Sequence, residues 1–412
     1  MEAGRRSVVL YYAYKATKAS EFYRPVMYLY FLSQGLSYTD IAVLEAMYNL
    51  TTVLGEIPTG YVGDRVGRRN SLLIGTGLIT ATLVAIAGVT RLPDALAFPA
   101  LAVLYVCWSM GYNFRSGSED AWLYDTLTAD LSEDRFTHVR GRGESVALAV
   151  GVVGSVAGGY LGGIALAIPF LVAAGVTSLG LVALLAMGEP ERGDGDDGTL
   201  GVREGLGIVR DVLSRERVRA FVLYYFVLFS AVSYLVFMFL QPTLEVVLTD
   251  LGLPDGQVES ALGWYYAAIS LVSAGLSYHA GTIEERLGIR AWFLAIPILA
   301  GVGLLGIAAL PLVAIPVLLL VRAVAETTTS LASRYVNDRI QSTGRATVLS
   351  AMAMVSGLTV IPFQFASGGL SDATSPGLAL AAAGAVLIAG SLAVLAWESP
   401  FGDEMSAASA AD

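Results

Sequence analysis

Four charged residues stand three apart in the first apolar stretch of this chain: Lys15, Lys18, Glu21 and Arg24. Farther along, Arg115 and Glu119 lie four apart, and Arg322 and Glu326 repeat that spacing. A charge set among apolar residues costs several kcal/mol unless it is paired or faces water, so each of these is a functional candidate. Steps of three turn a helix by about −60°, which spreads the first four over half its circumference. They cannot all line one stripe, but Lys18–Glu21 and Glu21–Arg24 can pair as neighbours. Residues four apart share a helix face. Glu119 can therefore form a static bridge to Arg115, or it can carry a proton whose release a moving cation controls. Both readings stand at this level, and Glu21 has the same proton-carrying chemistry.

Other chemistries find no residues to do them. Cys107 is the one cysteine, and His138 and His279 are the two histidines. That excludes an intramolecular disulfide and a cysteine-based zinc site, and no catalytic nucleophile–base set or phosphate-binding loop is present. An enzyme and an ATP-driven pump are both excluded on these grounds, and neither a cofactor nor a bound metal is expected. The net charge of −10 argues against nucleic acid as a partner, because such binding needs a clustered basic surface.

The elements that must position these charges are membrane helices. Of 412 residues, 55% are hydrophobic and only 15% charged, with a mean hydropathy of +0.65. Long apolar blocks predict twelve spans, near 8–33, 40–62, 71–90, 97–124, 144–166 and 168–187, then 219–242, 259–281, 291–309, 311–333, 346–370 and 376–397. Each must be a helix, since an open sheet leaves its backbone unsatisfied in lipid. The expected organisation is a six-helix bundle over 1–188, a cytoplasmic linker at 189–218, a second bundle over 219–398 and a short polar tail at 399–412. The linker carries an acidic run (Asp194, Asp196, Asp197) and a piece from Val202 to Val212 that could form an amphipathic surface helix. Arginines crowd the segments on one side, among them Arg5, Arg6, Arg65, Arg68, Arg69, Arg140, Arg142, Arg286, Arg290 and Arg339, while the other side shows only Arg91. The positive-inside rule then places both termini in the cytoplasm and the protein in the cytoplasmic membrane.

An internal repeat supports two related halves. The loop after the second span reads Gly60-Tyr-Val-Gly63-Asp64-Arg65-Val-Gly67-Arg68-Arg69, and that after the eighth reads Gly281-Thr-Ile-Glu284-Glu285-Arg286-Leu-Gly288-Ile-Arg290. Both fit G-x-x-x-[D/E]-R-x-G-x-R. The first resembles the cytoplasmic signature loop of the major facilitator superfamily and the second its weaker copy. EIPTG (Glu56 to Gly60), SGSEDAWLYDTL (Ser116 to Leu127) and RATVLS (Arg345 to Ser350) resemble a prokaryotic branch of drug or uncharacterised transporters. The resemblance implies an all-α membrane protein, twelve helices in two pseudo-symmetric six-helix bundles, with a substrate site near the midplane.

It also implies roles. In that family the first, fourth, seventh and tenth helices line the central cavity, which would place Lys15, Lys18, Glu21, Arg24, Arg115, Glu119, Arg322 and Glu326 there. The seventh adds Tyr224, Tyr234 and Gln241, an aromatic and hydrogen-bonding set. The repeated loops are expected to act as a cytoplasmic gate: Asp64 near a helix N-terminus, Arg65 and Arg69 reaching Asp125, and Arg286 or Arg290 reaching Asp338. Gly60, Gly67, Arg68, Glu285 and Gly288 belong to the same gate. Such contacts would latch the outward-facing state. Glu56 reads as structural, and Glu45 and Asp120 take no role. The fifth span, Gly154-Ser155-Val-Ala-Gly158-Gly159, resembles a glycine-rich antiporter motif with serine in place of its proline.

The expected function is secondary transport by alternating access, with proton-coupled efflux of amphiphilic small molecules preferred. Uptake of a small polar or anionic metabolite is the alternative, encouraged by the four cations Lys15, Lys18, Arg24 and Arg115. A membrane sensor without transport is the alternative of another class, and a lipid translocase a further one. The expected partners are a small-molecule substrate, H+ and the lipid bilayer, with the protein a monomer.

Overall fold

The computed structural model describes residues 2–130, 134–189, 216–254, 256–337, 345–398 and 400, and all regular structure among them is helical. In chain order the helices are α1 (Glu2–Lys18), α2 (Met27–Ser33), α3 (Tyr38–Val66), α4 (Arg68–Gly88), α5 (Asp94–Asp130), α6 (Asp134–Gly162) and α7 (Ile168–Ala186). Then follow α8 (Glu216–Phe221), α9 (Ser230–Asp250), α10 (Gln257–Tyr278), α11 (Ala280–Ala309), α12 (Ala314–Asn337), α13 (Arg345–Ala373) and α14 (Pro376–Trp397). A π-helical stretch, Val222–Phe229, joins α8 to α9. Helix ends follow local chemistry. Ser37 and Asp40 form a reciprocal capping box at the start of α3, and Ser375 caps α14 just ahead of Pro376.

All twelve expected spans coincide with helical segments. Nine helices among the described residues are long and apolar enough to cross a membrane. The three expected spans below that mark are α1–α2, α3 and α10.

The first span departs from expectation in an important way. It is not one helix: α1 ends at Lys18, and Ala19 to Val26 runs through tight turns before α2 begins. Pro25 has no N–H to donate and disfavours helical backbone at Arg24, while the Ser20 hydroxyl turns back to the Thr17 carbonyl at 2.7 Å. The even three-residue rotation expected from Lys15 to Arg24 therefore stops at Lys18. Unwound backbone is tolerated at membrane depth only where protein or water covers it. Here α6 covers it: Gly154 faces Ser20, Gly158 lies against the Phe22 carbonyl and Gly162 against Val26. A side chain at Gly158 would collide with that carbonyl, so the glycines of the fifth span serve this contact.

The chain groups into two compact units, one of Met1–Asp197 with Leu244–Leu271, the other of Gly198–Thr243 with Val272–Asp412. In the first, α4 packs on α5 and α7, and α3 on α5; in the second, α11 packs on α14 and α12, and α13 on α14. The sequence repeat reappears in the backbone. Gly67 ends α3 at φ +99° and ψ 155°, and Gly288 kinks α11 at φ +73° and ψ 149°. Side-chain-bearing residues avoid that region, which explains glycine at the same position of both loops.

Candidate functional site

The ion pairs buried deepest in the first unit centre on Glu119 of α5. Its Oε1 accepts from Lys15 Nζ at 2.7 Å and its Oε2 accepts from Lys18 Nζ, both lysines projecting from the last turns of α1. Lys15 is shared: it also donates to Glu144 Oε1 on α6, at 2.8 Å. The side chains of Lys15 and Glu119 are only 7% and 5% exposed, whereas Lys18 is 29% and Glu144 53% exposed. The cluster thus runs from a sealed centre to two accessible ends. Two lysines and two glutamates balance, so protonation of one carboxylate leaves an uncompensated positive charge. Close by, Arg140 of α6 pairs bidentately with Asp120 of α5, at 2.9 and 3.0 Å. Tyr11, 1% exposed, packs against the backbone of Gly143 beside them.

This arrangement corrects two pairings expected from spacing. Glu119 is bridged by Lys15 and Lys18, not by Arg115. Arg115 instead donates from Nε to the Tyr14 hydroxyl at 3.2 Å, with its guanidinium 5.8 Å from that ring. It is 5% exposed and has no carboxylate within ion-pair distance among the described residues. Lys18 turns to Glu119 rather than to Glu21. Glu21 and Arg24 do pair with each other, within the unwound segment. The physical reason is direction: α1 presents its two ammonium groups to α5, whereas Arg115 is drawn along Gly75 of α4 toward Tyr14.

Glu144 was not singled out from the sequence. It stands at the first residue of the fifth apolar stretch, where a carboxylate reads as a membrane-edge group. The usable signal was Arg140 one turn before it, which puts both on one face of α6.

The second unit places its candidates differently. Arg322 lies over the Phe237 ring at 5.3 Å, and Glu326 is exposed, with no ion pair among the described residues. Tyr224, expected on a cavity wall, is fully buried and donates its hydroxyl to the Phe293 carbonyl at 2.8 Å. The neighbouring Tyr225 bonds Thr329 at 2.9 Å, and the two tyrosines anchor the π-helical stretch. Tyr234 is half-buried, 5.7 Å from the Phe237 ring, and Gln241 is fully buried.

The repeated loops are held within their own units. Arg68 bonds Asp64 at 2.8 Å and is the arginine set against Asp125, at 4.0 Å. Arg65 lies over the Tyr61 ring at 4.2 Å. Arg69 donates from its guanidinium to the Met187 carbonyl at 3.1 Å and from its backbone N–H to Glu189 at 3.2 Å. Glu189 thereby covers the N-terminus of α4 and presses on Gly67. Gly60 is exposed. In the second loop Glu285, Arg286 and Arg290 are exposed, and the ion pair is Glu284–Arg334 at 2.5 Å. Asp338, the linker piece Val202–Val212 and the tail beyond Pro400 lie outside the described residues. No group of three or more His, Cys, Asp or Glu gathers as a metal would require, among the described residues.

Comparison with known proteins gives this geometry a family. Residues 17–358 match the Major Facilitator Superfamily. A protein of Bacillus subtilis (strain 168) described as the uncharacterized MFS-type transporter YxaM is 24% identical over 164 residues, a stretch that spans 39% of each chain. The crystal structure of the nucleoside transporter NupG superposes with a TM-score of 0.78, covering 96% of this chain and 99% of that one at 14% identity. The D-xylose-proton symporter superposes at 0.64, covering 93% and 96%, also at 14% identity. At such identities the structural likeness carries the fold alone.

Proposed function

The chain belongs to the major facilitator superfamily, and from that premise we propose that it moves a small molecule across the membrane with protons, coupled through the Lys15–Glu119–Lys18–Glu144 cluster. The single supporting observation is a sealed carboxylate between two ammonium groups, one of them shared with a half-exposed second carboxylate. Protonating Glu119 removes a negative charge and leaves the lysines under-compensated. A negative or strongly polar solute at Lys18 then binds more tightly, and by linkage its binding favours protonation. Proton and solute are thereby loaded together, the logic of symport. A cationic solute would have to displace two built-in cations from the same carboxylate. The geometry therefore favours uptake of a small polar or anionic metabolite by alternating access, in the cytoplasmic membrane with both termini inside.

Efflux of amphiphilic compounds in exchange for protons is the second reading. It is favoured by the glycine stripe of α6, where Gly158 sits against the Phe22 carbonyl and Gly159 against the Glu259–Gly263 backbone of α10. That stripe carries the resemblance to an antiporter motif.

Proteoliposomes loaded with a pH-sensitive dye separate the two. Organic anions or neutral polar solutes should drive proton entry with the solute, and Glu119→Gln should abolish it. Proton release triggered by cationic amphiphiles, and lost in the same variant, would establish antiport. Solute flux that leaves the internal pH unchanged would overturn proton coupling at this cluster.

A further inference from the structure

The function proposed above makes no use of the ends of α4 and α5 that lie away from the Gly60–Arg69 loop. There the two helices leave between them a groove of about 470 Å³, lined by alanine, glycine, valine and leucine alone. At mid-length the helices touch, since a side chain at Gly75 would lie 2.6 Å from the Gly111 carbonyl. Beyond that crossing Ala85 and Gly88 of α4 and Ala100 of α5 put little between the backbones, and the hollow opens. Buried Val89 forms its floor, and exposed Leu92 and Val103 form its rims. Both helices are long and apolar enough to cross a membrane, and exposed aliphatic walls on such spans suit lipid chains rather than water. One cation stands at the mouth. Arg91 ends the 3-10 turn Val89–Arg91 that follows α4, next to Leu92 in the groove wall. It is exposed, and its guanidinium has neither a hydrogen bond nor an ion pair among the described residues. Asp94, three residues on and also exposed, is beyond ion-pair distance of it.

Lipid tails are as apolar as this groove, so the hydrophobic effect gives no preference for filling it. Its shape selects an extended chain, and any preference among lipids must come from a polar group. A guanidinium holds a phosphate diester in charge-assisted N–H···O bonds. An anionic headgroup gains more from it than a zwitterionic one, which brings its own cation to the phosphate. We propose that the ends of α4 and α5 bind one anionic phospholipid, its phosphate on Arg91 and one acyl chain laid in the groove over Gly88. From Arg91 to Ala85 the groove runs about 9 Å along the helix, so it holds the part of the chain nearest the headgroup and leaves the rest in the bilayer. The lipid belongs to the leaflet opposite the Gly60–Arg69 loop, because α4 starts at that loop and ends at the groove.

Photo-crosslinking of the full chain in phosphatidylcholine nanodiscs tests this without a transport substrate, and so independently of the coupling reading. The probes are phosphatidylglycerol and phosphatidylcholine with the same diazirine-bearing acyl chain, and labelled peptides are read by mass spectrometry. The phosphatidylglycerol probe should label the 85–92 and 100–104 segments about fivefold more than the phosphatidylcholine probe. Arg91→Gln should remove that difference. Gly88→Leu should remove the labelling itself. Nothing lies within 4 Å of the first side-chain atom at that position, so the leucine fills the groove without disturbing the helices. Equal labelling by the two probes, or a difference that survives Arg91→Gln, would overturn the assignment. So would labelling that survives Gly88→Leu, or a groove that takes no label because a second copy of the chain covers it.

Discussion

Helices α5 and α12 carry the same Arg-x-x-x-Glu spacing, as Arg115–Glu119 and Arg322–Glu326, and the fold treats these two pairs oppositely. On α5 the glutamate is sealed between two lysines and the arginine rests on a tyrosine hydroxyl. On α12 the glutamate is exposed and the arginine lies over a phenylalanine ring. The spacing is identical, so spacing does not decide which carboxylate becomes a buried charge site. What differs is the helix facing each pair. α1 brings Lys15 and Lys18, the only lysines in the chain, whereas the corresponding stretch of the second half brings Tyr224 and Tyr225, which are committed to packing. Burying an ionised carboxylate is costly unless cations or hydrogen-bond donors accompany it. The two halves share an architecture and divide the chemistry.

The largest effect should come from neutralising the two glutamates in parallel. Glu119→Gln removes the carboxylate on which the proposed coupling rests, so it should cut proton-coupled flux at least about 100-fold, equivalent to about 2.8 kcal/mol. Glu326→Gln should change it less than about twofold, read from the same proteoliposome assay. Comparable losses would mean the exposed glutamate also carries the coupling, and the contrast would collapse.

Next come the lysines, whose exposures differ. Lys15→Met leaves two carboxylates facing one remaining cation in a sealed site and should lower stability by about 3 kcal/mol. Lys18→Met, at the accessible end, should cost about 1 kcal/mol or less. Thermal unfolding in detergent gives the ranking.

The repeated loops sharpen the same contrast. Gly67→Ala and Gly288→Ala both force a side chain into strained backbone, at about 1–3 kcal/mol each. Gly67→Ala should be the worse, since Glu189 occupies the space its methyl would need and nothing lies within 4 Å at Gly288. Equal melting shifts would mean that Glu189 gives way freely and contributes no hold on the loop.

Last comes Tyr14→Phe, which makes the arginine site of α5 resemble that of α12. One hydrogen bond to Arg115 is lost, at about 1–2 kcal/mol. The expected result is a modest fall in melting temperature with coupled flux largely retained. A loss of coupling as severe as that of Glu119→Gln would place Arg115 and Tyr14 inside the proton pathway.

Much of the architecture was legible before any coordinates. Apolar blocks of helical length located every span, and the paired loops marked the two halves, because G-x-x-x-[D/E]-R-x-G-x-R asks for glycine where φ is positive in both. The Glu21–Arg24 pair was legible too, being local. The partners of Glu119, Lys18 and Arg115 were not. Along one helix, a charge three or four residues away is the visible candidate, and here groups about a hundred positions distant took its place: lysines for Glu119 and a tyrosine hydroxyl for Arg115. Glu144 escaped notice at the edge of an apolar stretch.

By itself, then, the order of residues determined that this is a helical membrane protein with a duplicated plan, because lipid leaves the backbone no alternative to satisfying its own hydrogen bonds. It determined as well which charges would need an explanation, because burial of any of them is costly. The tertiary structure alone decided how that cost is met. Which side chains meet depends on the directions in which separate helices present them, and on a break after Lys18 that ends the helical register. Neither is encoded in the spacing along any one segment.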